Sequence, residues 1–283
     1  MNTVKIGWIG LGKMGIPMSQ HLVKAGYPLN VYNRSKDKED AFKAQGIGSA
    51  ASPAELIQHT DVVFVMVSDD KAIDDIFTGE NGLLKPEVSG RVIINMSTVS
   101  PAISKEMAAK CIAQGNHYLD APVSGSVKQA EDAALVIMVG GDATAFEQVK
   151  PILEKLGKLA MLVGDTGAGN TAKLAINTLL GIVAQGLAET VTLARQNGID
   201  AEALTTLLNN SALGSPLIKI KGEAIVNNNF NAAFALKYIA KDLRLAKDMG
   251  ADTPLAQTAY KTYQDAEAAL GEEDIIAVIK HLG

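Results

Sequence analysis

The stretch Val4-Lys5-Ile6-Gly7-Trp8-Ile9-Gly10-Leu11-Gly12-Lys13-Met14-Gly15 decides the fold. An apolar run suited to a buried parallel strand leads into G-x-G-x-x-G. A segment of helical periodicity follows, with Met14, Met18 and Leu22 at i, i+4 and i+8 and Gly26 as its stop. In that order the three glycines have separate tasks. Gly10 permits a tight turn, Gly12 lets the backbone approach a pyrophosphate, and Gly15 lets helix and strand pack closely. The helix N-terminus then presents backbone N–H groups and the positive end of its dipole to the phosphates. The segment predicts dinucleotide binding, with Gly10, Leu11, Gly12, Met14 and Gly15 as cofactor contacts.

The choice of dinucleotide turns on the next strand, Leu29-Asn30-Val31-Tyr32, which should end beside the adenosine ribose. An NAD site places an acid there for the 2′-hydroxyl. This chain reads Asn33-Arg34-Ser35, with no carboxylate before Asp37. Arg34 can grip a 2′-phosphate bidentately, and Asn33 and Ser35 can donate hydrogen bonds, so NADP(H) is expected rather than NAD.

Outward from this unit, residues 1–163 alternate short apolar strands with helical stretches, as a parallel α/β sheet does. Asp61–Val67, Arg91–Met96, Tyr118–Ala121, Ala134–Val139 and Leu159–Val163 read as further strands, and Ser100-Pro101 reads as a capped helix start. After Gly164-Asp165-Thr166-Gly167-Ala168-Gly169 the pattern becomes helical throughout. One proline-free run, Asn170–Asn197, predicts a helix of roughly 40 Å. The segments Ala201–Asn209, Tyr238–Met249, Pro254–Leu270 and Glu272–Leu282 continue it. The expected architecture is therefore α/β: an N-terminal Rossmann-type parallel sheet domain, residues 1–163, then an all-α domain, residues 164–283, that begins with a long interdomain helix. The wide apolar surface of that helix predicts a homodimer or homotetramer.

Composition narrows the function classes. At 283 residues two domains are expected, and 47% hydrophobic residues suffice for a core. A net charge of −5 gives no electrostatic case for nucleic acid or an anionic membrane. No apolar run reads as long as a membrane span, and no signal region precedes the first strand. The single cysteine, Cys111, excludes an internal disulfide, fits a reducing cytoplasm and reads as core rather than nucleophile. None of His21, His59, His117 and His281 has cysteine or acidic neighbours at metal-ligand spacing, so no metal is expected.

With hydride supplied by the cofactor, the protein must supply a proton donor and substrate clamps. Lys173 and Asn177, four apart, share one helix face near the expected N-terminus. A desolvated lysine there, beside a cationic nicotinamide, would have its pKa lowered toward acid–base use. A surface lysine on an ordinary amphipathic helix explains the same pattern.

Four stretches carry a resemblance that decides between these readings: Gly10-Leu11-Gly12-Lys13-Met14-Gly15-Ile16-Pro17-Met18, Asp120-Ala121-Pro122-Val123-Ser124-Gly125, the Lys173/Asn177 helix, and Tyr238-Ile239-Ala240-Lys241-Asp242-Leu243. In this order and spacing the chain resembles the β-hydroxyacid dehydrogenase family from end to end. The resemblance implies that Lys173 protonates the carbonyl oxygen with Asn177 beside it, and that Ser124 and Gly125 grip the substrate carboxylate. It implies Ser97 and Thr98 near nicotinamide and substrate, Phe234 lining the cleft, Lys241 on the cofactor, and Met66 and Val67 beside the adenosine half. The family often has Gly-Gly after the serine. Gly125-Ser126 with Ala130-Glu131-Asp132 is closer to the glyoxylate and succinic semialdehyde reductases, which implies reduction of a small aldehyde-acid. Oxidation in the 3-hydroxyisobutyrate manner is the first alternative, followed by an imine reductase or a non-catalytic NADPH-binding module.

Overall fold

Strands of four buried residues organise residues 1–173, the first of two units into which the chain divides; the second is residues 174–283. The computed structural model describes residues 4–282; residues 1–3 and 283, which the expected domain ranges include, lie outside the described residues. The strands of the first unit are β1 (Ile6–Ile9), β2 (Leu29–Tyr32), β3 (Gly48–Ser49), β4 (Val62–Val65), β5 (Val92–Asn95), β6 (His117–Asp120), β7 (Val123–Ser124), β8 (Leu135–Gly141) and β9 (Gly157–Gly164). They form one sheet in the order β3-β2-β1-β4-β5-β6-β8-β7 with β9 paired to β8, and the run from β3 to β6 is all parallel. Ile6 sits opposite both Leu29 and Val62.

The alternation of side chains along a strand splits this unit's interior between the two sheet faces. Trp8, Phe64, Ile94 and Leu119 pack on one side with Met18 and Leu22. Ile9, Val63, Val65 and Ile93 pack on the other with Phe77, Met107 and Cys111. Burial pushes the Cys111 thiol up to about 12, so it is a core thiol and no nucleophile. Helices α1 (Gly15–Lys24), α2 (Asp40–Lys43), α3 (Pro53–Gln58), α4 (Asp70–Thr78), α5 (Pro101–Ala113), α6 (Val127–Glu131) and α7 (Ala143–Leu153) connect the strands. The Ser100 side chain accepts from Ile103 N–H with Pro101 behind it, the cap that the sequence announces.

The sheet is less uniform than the expected parallel array. β8 runs antiparallel to β6 and β7, and β9 then returns parallel to β8. The reason is local: only Ala121-Pro122 separates β6 from β7, and the short α6 turns the chain back, too little chain for a parallel crossover. The two-residue strands β3 and β7 carry no readable periodicity and are absent from the sequence reading.

Helix α8 (Ala168–Gln196) spans the dividing point between the units. It starts two residues before the predicted run and ends one residue before it. One expectation needs correction: α8 is long and apolar enough, by length and composition, to cross a membrane. Small and polar residues such as Asn177, Thr178, Gly181 and Gln185 interrupt its apolar run, so no unbroken apolar stretch marks it in the sequence. Its Ala184, Leu187, Ala188 and Val191 enter the core of the second unit, as those of a core helix do.

That core also takes residues from α9 (Ala201–Asn209), α10 (Pro216–Val226), α11 (Leu236–Asp248) and α12 (Pro254–Leu270), centred on the fully buried Tyr263. Helix α10 was not foreseen. The expected helix over 272–282 is instead a 3₁₀ turn, Ile275–Val278, followed by α13 (Ile279–Leu282). Asp274 explains the break, because its carboxylate accepts from Ile276 N–H at 3.2 Å and starts a new turn there.

Candidate functional site

In an open α/β sheet, ligands bind beyond the carboxyl ends of the strands where the strand order reverses. Here the reversal lies between β1 and β4, and Gly10, Met66 and Val67 stand at those two strand ends. The Gly10 backbone has φ +100°, and a Cβ there would lie 2.0 Å from the Met66 carbonyl oxygen. A Cβ on Gly15 would lie 2.0 Å from the Gly10 carbonyl oxygen, which also accepts a hydrogen bond from the Trp8 indole at 3.0 Å. These two glycines are demanded by the protein itself.

Gly12 is different. A Cβ there would meet no protein atom within 4 Å, and its φ lies outside the left-handed region. The protein itself has room for a side chain at Gly12, as it would if a pyrophosphate lay against the backbone there. Leu11 is buried and Met14 half-buried, just ahead of α1.

The loop after β2 is more tightly organised than the sequence suggested. Asn33, expected to donate to a 2′-phosphate, has both ends of its amide engaged. Its Oδ1 accepts from Leu11 N–H at 2.9 Å, and its Nδ2 donates to the Ser35 carbonyl at 2.8 Å. Asn33 thus clasps the loop after β2 to the glycine loop. Arg34 and Ser35 are exposed. The carboxylate that the sequence reading missed is Glu39, fully buried beneath this loop.

Around the ends of β4 and β5, Ser97 is buried and its Oγ accepts from Val67 N–H at 2.9 Å, stapling two strand ends. Its own N–H donates to Asn95 Oδ1, and Asn95 Nδ2 donates to the buried Tyr118 hydroxyl. Thr98 next to it is half-buried. Ser124 ends β7, and Gly125 follows with φ +143°, where an added Cβ would strike Leu135 and Gln129 side chains. The Ser126 that replaces a second glycine starts α6, and its N–H donates to Gln129 Oε1 at 2.8 Å.

The start of α8 is anchored to the sheet by two residues whose role the sequence reading did not name. Asp120, at the end of β6, is fully buried and accepts from Gly167 N–H at 2.7 Å and Asn170 N–H at 2.8 Å. Burial pushes its pKa above the ordinary carboxylate value, and these hydrogen bonds offset part of the rise. Asn170 Oδ1 accepts from Val99 N–H at 3.0 Å, and its Nδ2 donates to Ser104 Oγ at 3.1 Å. Lys173 lies one turn further along and is 8% exposed. Asp120→Asn is expected to set an amide N–H against a backbone N–H. The lost acceptor costs about 1–3 kcal/mol, which at roughly 2–4 °C per kcal/mol for this size lowers Tm by about 2–12 °C. An unchanged thermal melt would show that the carboxylate does not hold the helix.

In the second unit Asn177 is buried, and its Nδ2 donates to Asp242 Oδ2 at 2.6 Å. Lys241 Nζ stands 3.2 Å from Asp242 Oδ1. Sequence reasoning assigned Asn177 and Lys241 but gave Asp242 no role. The signal was present: Ile239, Asp242, Leu243 and Ala246 fall on one stripe of α11, and an acid inside an apolar stripe is worth following. Phe234, half-buried, stacks on Tyr238 with ring centroids 6.2 Å apart.

Comparison with known proteins shows the family to which the chain belongs. Residues 5–164 match the NAD binding domain of 6-phosphogluconate dehydrogenase, and residues 167–282 match the NAD-binding family of NADP-dependent 3-hydroxyisobutyrate dehydrogenase. The chain is 34% identical over its whole length to glyoxylate/succinic semialdehyde reductase 2, chloroplastic, of Arabidopsis thaliana, covering 80% of that protein. It is similar to the structure of 3-hydroxyisobutyrate dehydrogenase with L-serine from Mycobacterium tuberculosis, at 30% identity, a TM-score of 0.91 and 99% coverage of each chain. It also matches the cytokine-like nuclear factor N-PAC of Homo sapiens at 34% identity over 98% of its own residues, and spans 51% of that longer protein.

Proposed function

Since the chain belongs to the β-hydroxyacid dehydrogenase family and is an NADP-dependent enzyme, we propose that it reduces a small aldehyde-acid to the hydroxy acid, with Lys173 as the proton donor. The observation behind this reading is the setting of Lys173. It is a buried lysine one turn into a long helix whose first residues are tied to the sheet by Asp120 and Asn170. A long flexible side chain is buried at such a place for a reason, because desolvating its charge is costly.

NADPH supplies the hydride when bound. Gly10, Gly12 and Gly15 would take its pyrophosphate; Arg34 and Ser35 its 2′-phosphate; Met66 and Val67 its adenosine half. Lys173 holds a proton at Nζ and releases it to the carbonyl oxygen as negative charge develops there. Ser124 and the Gly125 N–H grip the substrate carboxylate, and Thr98 lies beside the reacting end, its segment held by the Ser97 staple. In the second unit Asn177 is fixed by Asp242, and the family resemblance assigns it to orienting the lysine or the substrate, Phe234 to the substrate and Lys241 to the cofactor. Residues 1–163 are read as the NADP-binding domain, and residues 164–283 as the substrate and oligomerisation domain of a cytoplasmic homodimer or homotetramer.

Glyoxylate, succinic semialdehyde and tartronate semialdehyde are the proposed substrates, in keeping with the name of the Arabidopsis relative. The second reading, oxidation of 3-hydroxyisobutyrate, is favoured by the match over residues 167–282 and by the similar Mycobacterium structure. Following NADPH absorbance with the three aldehyde-acids and with methylmalonate semialdehyde separates the two, with 3-hydroxyisobutyrate and NADP⁺ as the reverse arm. The expected result is turnover of glyoxylate or succinic semialdehyde above the others. Efficient turnover of 3-hydroxyisobutyrate alone would reverse the proposed direction.

A further inference from the structure

An NAD site places an acid beside the ribose 2′-hydroxyl, and a carboxylate there would repel a 2′-phosphate. This chain has such an acid close by, but turned inward. Glu39 has a side chain only 1% exposed. Its Oε1 accepts from Asn33 N–H at 2.8 Å and from Lys36 Nζ at 2.9 Å, and Lys43 Nζ stands 3.3 Å from Oε2. Burial alone would raise its pKa. The hydrogen bonds from Lys36, Asn33 and Lys43 outweigh that and hold the carboxyl below its ordinary range, so it is charged at neutral pH.

The same contacts order the loop around it. Asn33 has its backbone on Glu39 and its side chain on Leu11 N–H and the Ser35 carbonyl. Lys36 Nζ also donates to the Ala50 carbonyl at 3.2 Å and lies 4.4 Å from the centre of the Tyr32 ring. Residues 32–36 are therefore gripped on both sides of Arg34 and Ser35, whose side chains remain exposed. Across residues 33–43, Arg34, Lys36, Lys38 and Lys43 against Asp37, Glu39 and Asp40 leave a formal charge of +1, and the buried Glu39 is turned away from a ribose hydroxyl.

We propose that Glu39 is a positioning residue for cofactor choice: it sets residues 33–36 in the conformation that offers Arg34 and Ser35 to the 2′-phosphate of NADP(H). The inference rests on reading Asn33-Arg34-Ser35 as the ribose-phosphate loop. Without Glu39 the loop must be ordered at the moment of binding, and that penalty falls on the ligand that uses the loop. NADH, which brings no 2′-phosphate, is spared most of it.

The test is fluorescence titration of the full chain with NADPH and NADH, for the unaltered protein and for Glu39→Ala, Glu39→Gln and Arg34→Ala, with a thermal melt of each. Glu39→Ala should raise the Kd for NADPH about tenfold and that for NADH by less than about twofold, roughly the loss expected when one ordered polar contact is removed. Glu39→Gln retains an oxygen for Asn33 N–H and should fall between Ala and the original. Equal weakening of both cofactors by Glu39→Ala would reduce Glu39 to a structural acid, and no weakening of either would also overturn the inference. Arg34→Ala tells this failure from a wrong reading of the loop. If Arg34→Ala separates the two cofactors and Glu39→Ala does not, only the role of Glu39 falls; if neither does, the loop assignment falls with it.

Discussion

Lys173→Ala is expected to lower kcat by about 10²–10⁴-fold, the usual contribution of a positioned general acid, while NADPH binds within about twofold of the original. The separation follows from where the side chain sits. The glycine turn and the ribose loop lie at the ends of β1 and β2, whereas Lys173 belongs to the first turns of α8. Truncation removes the buried Nζ group proposed to donate the proton but leaves the Asp120 and Asn170 anchors in place. The fold should therefore persist. Lys173→Arg is expected to be nearly as inactive, because a guanidinium keeps its proton at any working pH. Steady-state turnover with the preferred aldehyde-acid, together with NADPH titration, measures both effects. Turnover retained in the alanine variant would remove Lys173 from the mechanism, and lost cofactor binding would make it a cofactor contact instead.

Gly12→Ala is expected to weaken NADPH binding by at least about tenfold with no loss of thermal stability, since an alanine at a compatible backbone position stabilises by about 0.4–1 kcal/mol through the unfolded state. The added methyl meets no atom of the protein within 4 Å and so acts only on a ligand. Gly10→Ala and Gly15→Ala should behave oppositely. Each places a Cβ 2.0 Å from a carbonyl oxygen, and Gly10 must also hold a positive φ. Both variants should melt earlier, and any lost affinity in them would be secondary. Melts and titrations of the three form one experiment. Undiminished NADPH binding by Gly12→Ala would mean that no cofactor backbone passes there.

The first unit was readable because its signals are local. Strand, glycine turn and helix follow each other within twenty-five residues, and continuous apolar runs such as Val62–Val65 have few other fates. The long α8 was readable because nothing interrupts its periodicity. What escaped depends on distance along the chain. The antiparallel return of β8 is decided by the shortness of the β6–β7 link, not by any residue in β8. Asp120 meets Asn170 fifty residues away, and Asn177 meets Asp242 across sixty-five. Such pairs leave only a faint trace in a single sequence: a polar residue at a position that periodicity assigns to the interior. Glu39 shows the limit most plainly. The sequence shows an acid six residues past Asn33 but not that it is buried and held by two lysines beneath the loop.

The burial of Cys111 turns the chain's only sulfhydryl into a clock. A thiol whose pKa is pushed up to about 12 and which is walled in beneath the sheet gives almost no thiolate to an alkylating reagent while the first unit is folded. Labelling then proceeds only through opening of that unit. Its rate, followed by mass with and without NADPH, reads how often the nucleotide domain opens and how far its cofactor slows that opening.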